Sequence, residues 1–130
     1  MKTKKKGGYA VVKQLKQYDV VLVDFGSNID SEQSGKRPSV VIQNDTGNFF
    51  SPTTLVIPLT TSLKHMEQPT HALIAKGHSK GLIKDSMLLG ECLRQISKER
   101  IIKYLGRITN INEIQAVRKV YYANMEGRIE

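Results

Sequence analysis

Residues 31–60, SEQSGKRPSVVIQNDTGNFFSPTTLVIPLT, decide the fold of this chain. The stretch holds a polar loop ending at Arg37-Pro38, an apolar run, a turn-rich connection, and a second apolar run ending at Thr60-Thr61. Both runs are rich in β-branched residues, which predicts strands at Ser39–Gln43 and Thr54–Leu59. This layout can place a guanidinium and a threonine hydroxyl at neighbouring strand ends, facing one pocket. Such a pair suits the binding and cleavage of a phosphodiester.

Further strands and turns are predicted outside these two runs. Pro58 predicts that its strand lies at a sheet edge or carries a bulge, and Gly90 predicts a bulge or a close backbone approach. Turn-forming residues fill the connection at residues 44–53. A polar loop is expected at residues 26–36 and a short helical turn at residues 97–102. The remaining β-type runs predict four strands, at Val20–Phe25, His71–Ala75, Met87–Leu93 and Lys103–Ile108.

The clearest helix is at the end of the chain. Asn110 followed three residues later by Glu113 is a capping box. The predicted helix that follows this box has one apolar face, formed by Ile111, Ile114, Val117 and Tyr121. Residues 9–17 have only a short amphipathic pattern, too short to assign. Five or six short strands and one closing helix predict a mainly β (α+β) fold, a small and strongly bent antiparallel sheet or barrel.

Composition predicts one globular domain at residues 9–130, after a flexible basic leader at residues 1–8. The chain has 130 residues, of which 39% are hydrophobic and 25% charged. We expect a cytoplasmic protein without a membrane span, because no apolar run approaches twenty residues. Cys92 is the single cysteine, which excludes an internal disulfide. The formal charge of +8 favours polyanionic partners, although four of the lysines lie in the leader.

Three polar motifs carry the candidate chemistry, and each has a plainer interpretation. Proline after Arg37 favours an extended backbone there, and a fixed arginine can grip a phosphate. It could equally be a surface arginine before a strand. The Ser31-Glu32-Gln33 triplet could read base edges or hold a ribose, with Glu32 as a base, or it could be an ordinary solvated loop. The hydroxyls of residues 60–62 could donate to a phosphate, or simply begin a loop.

Other features predict no cofactor. The spacings of His65, His71 and His78 match no metal-ligand motif, and no glycine-rich phosphate loop occurs. Phe49-Phe50 could be an exposed stacking platform, although at least one ring is expected in the core.

The sequence resembles the MazF/PemK family of toxin endoribonucleases. The likeness covers about Asp19 to Ile108 in order, and the SEQSGKRP string followed by a β run is its most specific part. The other matching segments are VVIQND at Val40–Asp45, Ser51–Thr53, Pro58–Thr60, Pro69–His71, Lys84–Ser86, and the stretch from Glu91 through Arg94 to Arg100.

This resemblance implies a fold, a reaction and a partner. The fold would be the small SH3-like antiparallel barrel with a C-terminal helix that these toxins share with gyrase-poisoning toxins. The protein would be a homodimer that cuts single-stranded RNA at short sequences without a metal ion, leaving a 2′,3′-cyclic phosphate and a 5′-hydroxyl. A cognate antitoxin would cover the same basic groove with an acidic, disordered tail.

The resemblance also assigns roles to residues. The family's catalytic arginine corresponds to Arg37 and its catalytic threonine to Thr60, while Glu32 is a weaker candidate for a base or a ribose contact. The expected RNA path is lined by Phe25, Ser31, Gln33, Lys36, Thr61 and Ser62.

The sequence departs from the family pattern at three positions, none of which is Arg37 or Thr60. Tyr18 stands where the family usually has glycine, and Asp30 replaces the glycine before Ser-Glu-Gln. Cys92 occupies a position where many members carry glutamine, which predicts a changed base preference. The alternative function is a gyrase-directed toxin or an RNA-binding protein on the same fold. A structural adaptor for proline-rich peptides is disfavoured, because the chain has no Trp and only 6% aromatic residues.

Overall fold

The computed structural model describes residues 14–27 and 35–127. Short 3₁₀ turns occur at His78–Lys80, Gly90–Cys92 and Lys98–Arg100. Strands and helices follow one another in the order β1 (Asp19–Asp24), β2 (Lys36–Val41), α1 (Asp45–Phe50), β3 (Thr53–Thr60), β4 (His71–Ile74), β5 (Ser86–Leu89), β6 (Arg94–Ser97), β7 (Ile101–Arg107) and α2 (Ile111–Ala123).

The strands form one antiparallel sheet, and the predicted mainly β fold with a C-terminal helix is confirmed. Neighbouring strands follow the order β4-β5-β3-β2-β1-β7, with β6 paired to β3 beside this path. The path is not closed by pairing of its two end strands within the described residues, so the sheet is open there rather than a closed barrel. None of the helices in these residues has the length and apolar character needed to cross a membrane.

The sheet buries side chains on both faces, which explains why the strand sequences are almost continuously apolar. Successive strand residues point to opposite faces. One core lies between the sheet and α2 and includes Val20, Val40, Ile57, Leu59, Val117 and Val120. The second core lies on the other face and includes Val21, Val23, Phe25, Val41, Val56, Ile96 and Ile101.

Of the two environments predicted for Pro58, an edge strand or a bulge, the edge strand is wrong. β3 is an interior strand, because it pairs with β2 on one side and with β6 and β5 on the other. The β6 pairing ends at Val56 and the β5 pairing begins at Leu59. Pro58 therefore lies where the ladder on that side is interrupted, which makes the missing N–H tolerable.

The predicted turn at residues 44–53 contains a short helix instead. Asn44 caps α1, because its side-chain oxygen accepts a hydrogen bond from Gly47 N at 2.8 Å. The residue types that favour turns also favour helix N-caps, so the same residues predict a turn where a short helix forms. Phe49 and Phe50 are 65% and 77% exposed, so the expectation that one ring is in the core is also wrong.

The predicted strand at Met87–Leu93 is shorter than expected. It ends at Leu89, and a 3₁₀ turn leads into β6, which the sequence did not predict. The close backbone approach predicted at Gly90 is confirmed. A Cβ atom there would lie 2.8 Å from Thr70 O and 3.0 Å from Val120 O.

The predicted terminal helix is confirmed, with two local differences. Asn110 accepts hydrogen bonds from Asn112 N and Glu113 N at 2.8 and 3.2 Å. The Glu113 carboxylate does not complete the capping box; it accepts from Ala75 N and forms an ion pair with Lys80. Ile111 is 62% exposed and does not belong to the packed face. Of the segment left unassigned at residues 9–17, residues 14–17 are described and are not helical.

Candidate active site

A cavity of about 470 Å³ lies where β2 begins and β3 ends. Its lining is Gly35, Lys36, Arg37, Pro38, Leu59, Thr60, Thr61 and Ser86. Arg37 and Thr60, the predicted pair, therefore line one concave surface although they are far apart in sequence.

The strand register explains why this pair meets. Ser39 pairs with Pro58 in the antiparallel ladder between β2 and β3. Continuing that register by two residues places Arg37 opposite Thr60, on the same face of the sheet. Polar side chains at these strand ends border a shared depression, as the sequence layout predicted.

Arg37 is held within β2, which begins three positions before the predicted strand start at Ser39. The strand begins at Lys36, and Arg37 pairs with Val23 of β1. Gly35 precedes it with a φ of +75°, a conformation that favours glycine, and its carbonyl accepts from Phe25 N at 2.9 Å. Arg37 is half-buried, its backbone is paired to β1, and the residue lines the cavity.

Thr60 is the last residue of β3, and its hydroxyl has a defined orientation. Its Oγ1 accepts a hydrogen bond from Ser62 N at 3.1 Å. Because a hydroxyl has one proton to donate as well as lone pairs to accept with, the Thr60 proton remains available for a ligand oxygen. Among the described residues, Thr60 is thus a donor at the edge of the cavity.

The other expected RNA contacts are distributed unevenly. Lys36 and Thr61 are exposed and line the cavity, and Ser62 is exposed beside it. Ser31, Glu32 and Gln33 lie outside the described residues, as does Asp30. Phe25, which was expected to line the RNA path, is only 2% exposed and packs in the second core. This burial follows from the alternation of β1, which turns Val21, Val23 and Phe25 to one buried face.

Sequence reasoning missed two residues near this site. Ser86 is buried, lines the cavity, and donates its hydroxyl to Lys84 O at 3.1 Å. Its segment belonged to the family resemblance, but only the β3–β5 pairing brings it to the cavity. Arg94 places its guanidinium 5.1 Å from the centroid of the Phe25 ring. No local sequence pattern indicates this contact between distant strands.

A histidine–carboxylate pair lies away from the cavity, at the opposite end of β5 from Ser86. His71 Nε2 lies 3.0 Å from Glu91 Oε2, and the His71 side chain is 6% exposed. Burial lowers the pKa of His71, but the Glu91 carboxylate and nearby backbone carbonyls outweigh it and raise the pKa above its usual value. Burial likewise opposes ionisation of Glu91, while hydrogen bonds from His71 and Thr70 bring its pKa below the usual value. Within the residues described, no cluster of three metal-ligating side chains occurs.

The site can bind and polarise an anion. A guanidinium, an ammonium group and a hydroxyl donor border one concave surface, and each suits the oxygens of a phosphate.

Comparison with known proteins identifies relatives over most of the chain. Residues 16–121 match the model of the PemK-like, MazF-like toxin of type II toxin–antitoxin systems. The endoribonuclease MazF of Staphylococcus epidermidis is 44% identical over 101 residues, which cover 78% of this chain and 83% of the relative. The Staphylococcus saprophyticus endoribonuclease MazF is also 44% identical, over 96 residues that cover 74% of this chain and 79% of the relative.

Solved structures share the fold at lower sequence identity. MazF from Deinococcus radiodurans superposes with a TM-score of 0.72 at 18% identity, covering 87% of this chain and 97% of that one. A mycobacterial endoribonuclease in complex with its cognate antitoxin gives a TM-score of 0.69 at 18% identity, with 89% and 99% of the chains covered.

Proposed function

The chain belongs to the family of PemK-like, MazF-like toxins of type II toxin–antitoxin systems, and on that premise we propose that it is an endoribonuclease acting at the Arg37–Thr60 cavity. The proposed substrate is single-stranded messenger RNA, cut at a short recurring sequence in the cytoplasm. The observation that supports this most directly is the presence of a guanidinium and a threonine hydroxyl on one concave surface.

In the proposed reaction, the ribose 2′-oxygen attacks the adjacent phosphorus atom. The bond from phosphorus to the 5′-oxygen of the next nucleotide breaks as the new bond forms. A base takes the proton of the 2′-hydroxyl, and the departing 5′-oxygen takes up a proton. The products carry a 2′,3′-cyclic phosphate and a 5′-hydroxyl.

Arg37 is proposed to stabilise the charge that builds on the phosphate oxygens. Its planar guanidinium can offer two parallel N–H donors to one phosphate. Because arginine stays protonated in proteins, charge stabilisation is a better role for it than proton donation. Its position within a paired strand favours this role, since fixed donors need no rearrangement as the charge develops.

Thr60 is proposed to donate its hydroxyl proton to a non-bridging phosphate oxygen. The hydrogen bond from Ser62 N orients the hydroxyl and leaves its proton available. Loss of one such preorganised donor typically lowers kcat by about 10²–10³-fold.

Glu32 is the proposed base for the 2′-hydroxyl, on the strength of its chemistry and of the family resemblance. Two cationic side chains and a hydroxyl at the cavity offer the electrostatic stabilisation that a metal ion would otherwise supply. We therefore propose cleavage that needs no metal ion.

A cognate antitoxin is the proposed protein partner of a homodimeric toxin. The similar solved structures include complexes of such a toxin with an antitoxin, from a mycobacterial species and from Deinococcus radiodurans. Lys36 and Arg37 border the cavity, and the chain carries a formal charge of +8, so an acidic segment could cover the surface that binds RNA.

Cleavage of a long single-stranded RNA in excess EDTA tests the proposed reaction. Cuts at one short recurring sequence, with 5′-hydroxyl and cyclic phosphate ends, are expected from the wild-type chain. Arg37→Ala and Thr60→Ala are expected to lower the rate by about 10²-fold or more, while Thr60→Ser keeps the hydroxyl and most of the rate.

Matched controls separate this site from charge and folding effects. Lys119→Ala removes one exposed cation on α2, and Thr109→Ala removes one exposed threonine after β7. Both should cut RNA at the wild-type rate. Intact RNA across several test sequences would favour the gyrase-directed or non-catalytic RNA-binding alternative. Full activity in Arg37→Ala would instead place the catalytic groups outside this cavity.

A further inference from the structure

A second cavity, of about 600 Å³, lies between the segment that follows β2 and α2. Aromatic, cationic and amide side chains line it together: Tyr18, Tyr121, Tyr122, Arg118, Gln17 and Gln43. Its volume lies within the range of roughly 300–1,000 Å³ that is typical of small-molecule sites.

This cavity is separate from the Arg37–Thr60 cavity. Ile42 and Gln43, which line it, follow the last residue of β2, whereas Arg37 lies near the start of that strand. At a rise of about 3.3 Å per residue, the five-residue interval from Arg37 to Ile42 separates their backbones by roughly 17 Å. The two cavities also share no lining residue.

Tyr18 enters this cavity from a strained backbone position. Its φ is +74°, a conformation that favours glycine and opposes a side chain with a Cβ atom. Hydrogen bonds fix it there, from Tyr18 N to Val41 O at 2.7 Å and from Ile108 N to Tyr18 O at 3.0 Å. Strain of this kind persists where the surroundings hold it and concentrates at functional sites. A tyrosine held in a glycine-favouring conformation therefore indicates a binding site at this position.

The cationic group of the cavity lies among its aromatic rings. The Arg118 guanidinium carbon is 5.9 Å from the centroid of the Tyr122 ring. The Tyr18 phenol raises the pKa of Arg118, so the two groups interact across the cavity. Tyr121 and Tyr122 meet edge to face, with centroids 5.0 Å apart. Arg118 has five N–H donors, more than these neighbours can use.

Two amide groups are held with their nitrogens turned into the protein. Gln17 Nε2 donates to Ile42 O at 2.9 Å, and Gln43 Nε2 donates to Thr53 O at 3.0 Å. Their amide oxygens make no hydrogen bond to any residue in the described part of the chain. They are preoriented acceptors at the cavity wall, suited to N–H groups of a ligand.

We propose that this second cavity binds a nucleotide, with the base against the tyrosine rings and the phosphate on Arg118. Every nucleobase has a flat face that stacks on tyrosine, and its edge carries N–H groups for the two amide oxygens. A guanidinium is the side chain best suited to a phosphate. The nucleotide is either a free mononucleotide or one unit of a single-stranded RNA, and the chemistry of the cavity is the same for both.

Titration of the wild-type chain with AMP tests the proposal, because AMP contains no phosphodiester to cleave. Amide chemical shifts, recorded by NMR, are expected to move saturably around Tyr18, Arg118 and Tyr122. Adenosine and ribose 5-phosphate, which each lack one half of the ligand, are expected to bind at least ten-fold more weakly than AMP. These measurements do not depend on ribonuclease activity, so they stand or fall separately from the proposed reaction.

Paired variants then test the individual contacts. Arg118→Ala and Tyr122→Ala are each expected to weaken AMP binding at least ten-fold. Lys119→Ala removes a neighbouring exposed cation, and Tyr104→Ala removes a 48% exposed tyrosine elsewhere; neither residue lines the cavity. Both controls should bind AMP as the wild-type chain does. Circular dichroism of each variant verifies that it is folded.

Three results would overturn the proposal: no saturable binding of AMP, shifts confined to the Arg37–Thr60 cavity, or equal weakening in the control variants. A 2′-O-methyl RNA oligonucleotide, which lacks the attacking hydroxyl, identifies the source of the ligand. Displacement of AMP from the wild-type chain by this oligonucleotide would assign the cavity to an RNA strand. AMP binding that the oligonucleotide leaves unchanged would assign it to a free nucleotide.

Discussion

Replacement of Asn48 by alanine should destabilise the chain by an amount that its contacts set. Asn48 is fully buried, and its Oδ1 accepts from Thr54 Oγ1 at 2.7 Å and from Gln43 Nε2 at 2.9 Å. Its Nδ2 donates to Gln43 O at 2.8 Å, and its backbone carbonyl accepts from Lys98 Nζ. The side chain thus ties α1 to the segment before it and to β3.

The size of the stability loss depends on which hydrogen-bond partners of Asn48 can bond to water instead. Thr54 is fully buried, so its hydroxyl would lose its acceptor without replacement, at a cost of about 1–3 kcal/mol. Gln43 is only half-buried and keeps its hydrogen bond to Thr53 O. Losing its hydrogen bond to Asn48 should therefore cost about 1 kcal/mol, the net value of an ordinary hydrogen bond. Asn48→Ala should therefore lower the free energy of unfolding by about 2–4 kcal/mol.

Urea denaturation followed by circular dichroism measures this loss. The protein concentration must be held constant, because any self-association would add to the apparent stability. Asn112→Ala, at an exposed position of α2, is the control and should change stability by no more than about 0.5 kcal/mol.

A double-mutant cycle with Thr54→Val tests the physical reason. In that background the orphaned hydroxyl is absent, so Asn48→Ala should cost about 1–2 kcal/mol less than in the wild-type chain. A loss below about 1 kcal/mol in the single variant, or strict additivity in the cycle, would refute the claim that this buried network stabilises α1.

Two further variants test local features. Gly81→Ala should lower the melting temperature strongly, because its φ is +71° and a Cβ atom there would collide with Leu105 O. Gly35→Ala, with a φ of +75° but no atom of the described residues within 4 Å, should lower the free energy of unfolding by only about 1 kcal/mol. Equal losses in the two variants would contradict this steric reason. Glu91→Gln should destabilise more at pH 5.5 than at pH 8.5, as thermal melts at both values would show. Because the pKa of folded His71 is raised above 6.5, its pairing stabilises fully below that value and fades as pH rises through the folded pKa. The Glu91 carboxylate, with its pKa lowered from 4.5, is still ionised at pH 5.5, so a loss independent of pH would rule out this pairing.

The sequence predicted those elements whose signal is local. The run from Val20 to Phe25 could only be a strand, and Asn110 has the side chain that a helix N-cap requires. The sequence predicted, from the strand ends and the family resemblance, that Arg37 and Thr60 face one pocket, and the register shows why both reach one cavity.

The features that the sequence did not predict depend on distant contacts. Asn48 reads as a turn former, but its bonds to Thr54 and Lys98 make it the anchor of a helix. Pro58 reads as an edge residue, because nothing local shows that one strand is shared between two partners at that point. The second cavity was missed for the same reason, since Tyr18 and Arg118 are a hundred residues apart.

The strand register that brings Arg37 and Thr60 to one cavity is specified by the core. In the β2–β3 ladder, Val40 and Ile57 pair on the face under α2, while Val41 and Val56 pair on the opposite face. A slip of one residue would bury the wrong side chains on both faces at once, so this register is strongly specified. The same slip would turn Arg37 away from Thr60. Substitutions that loosen these four core positions should therefore reduce catalysis even though none of them borders the cavity.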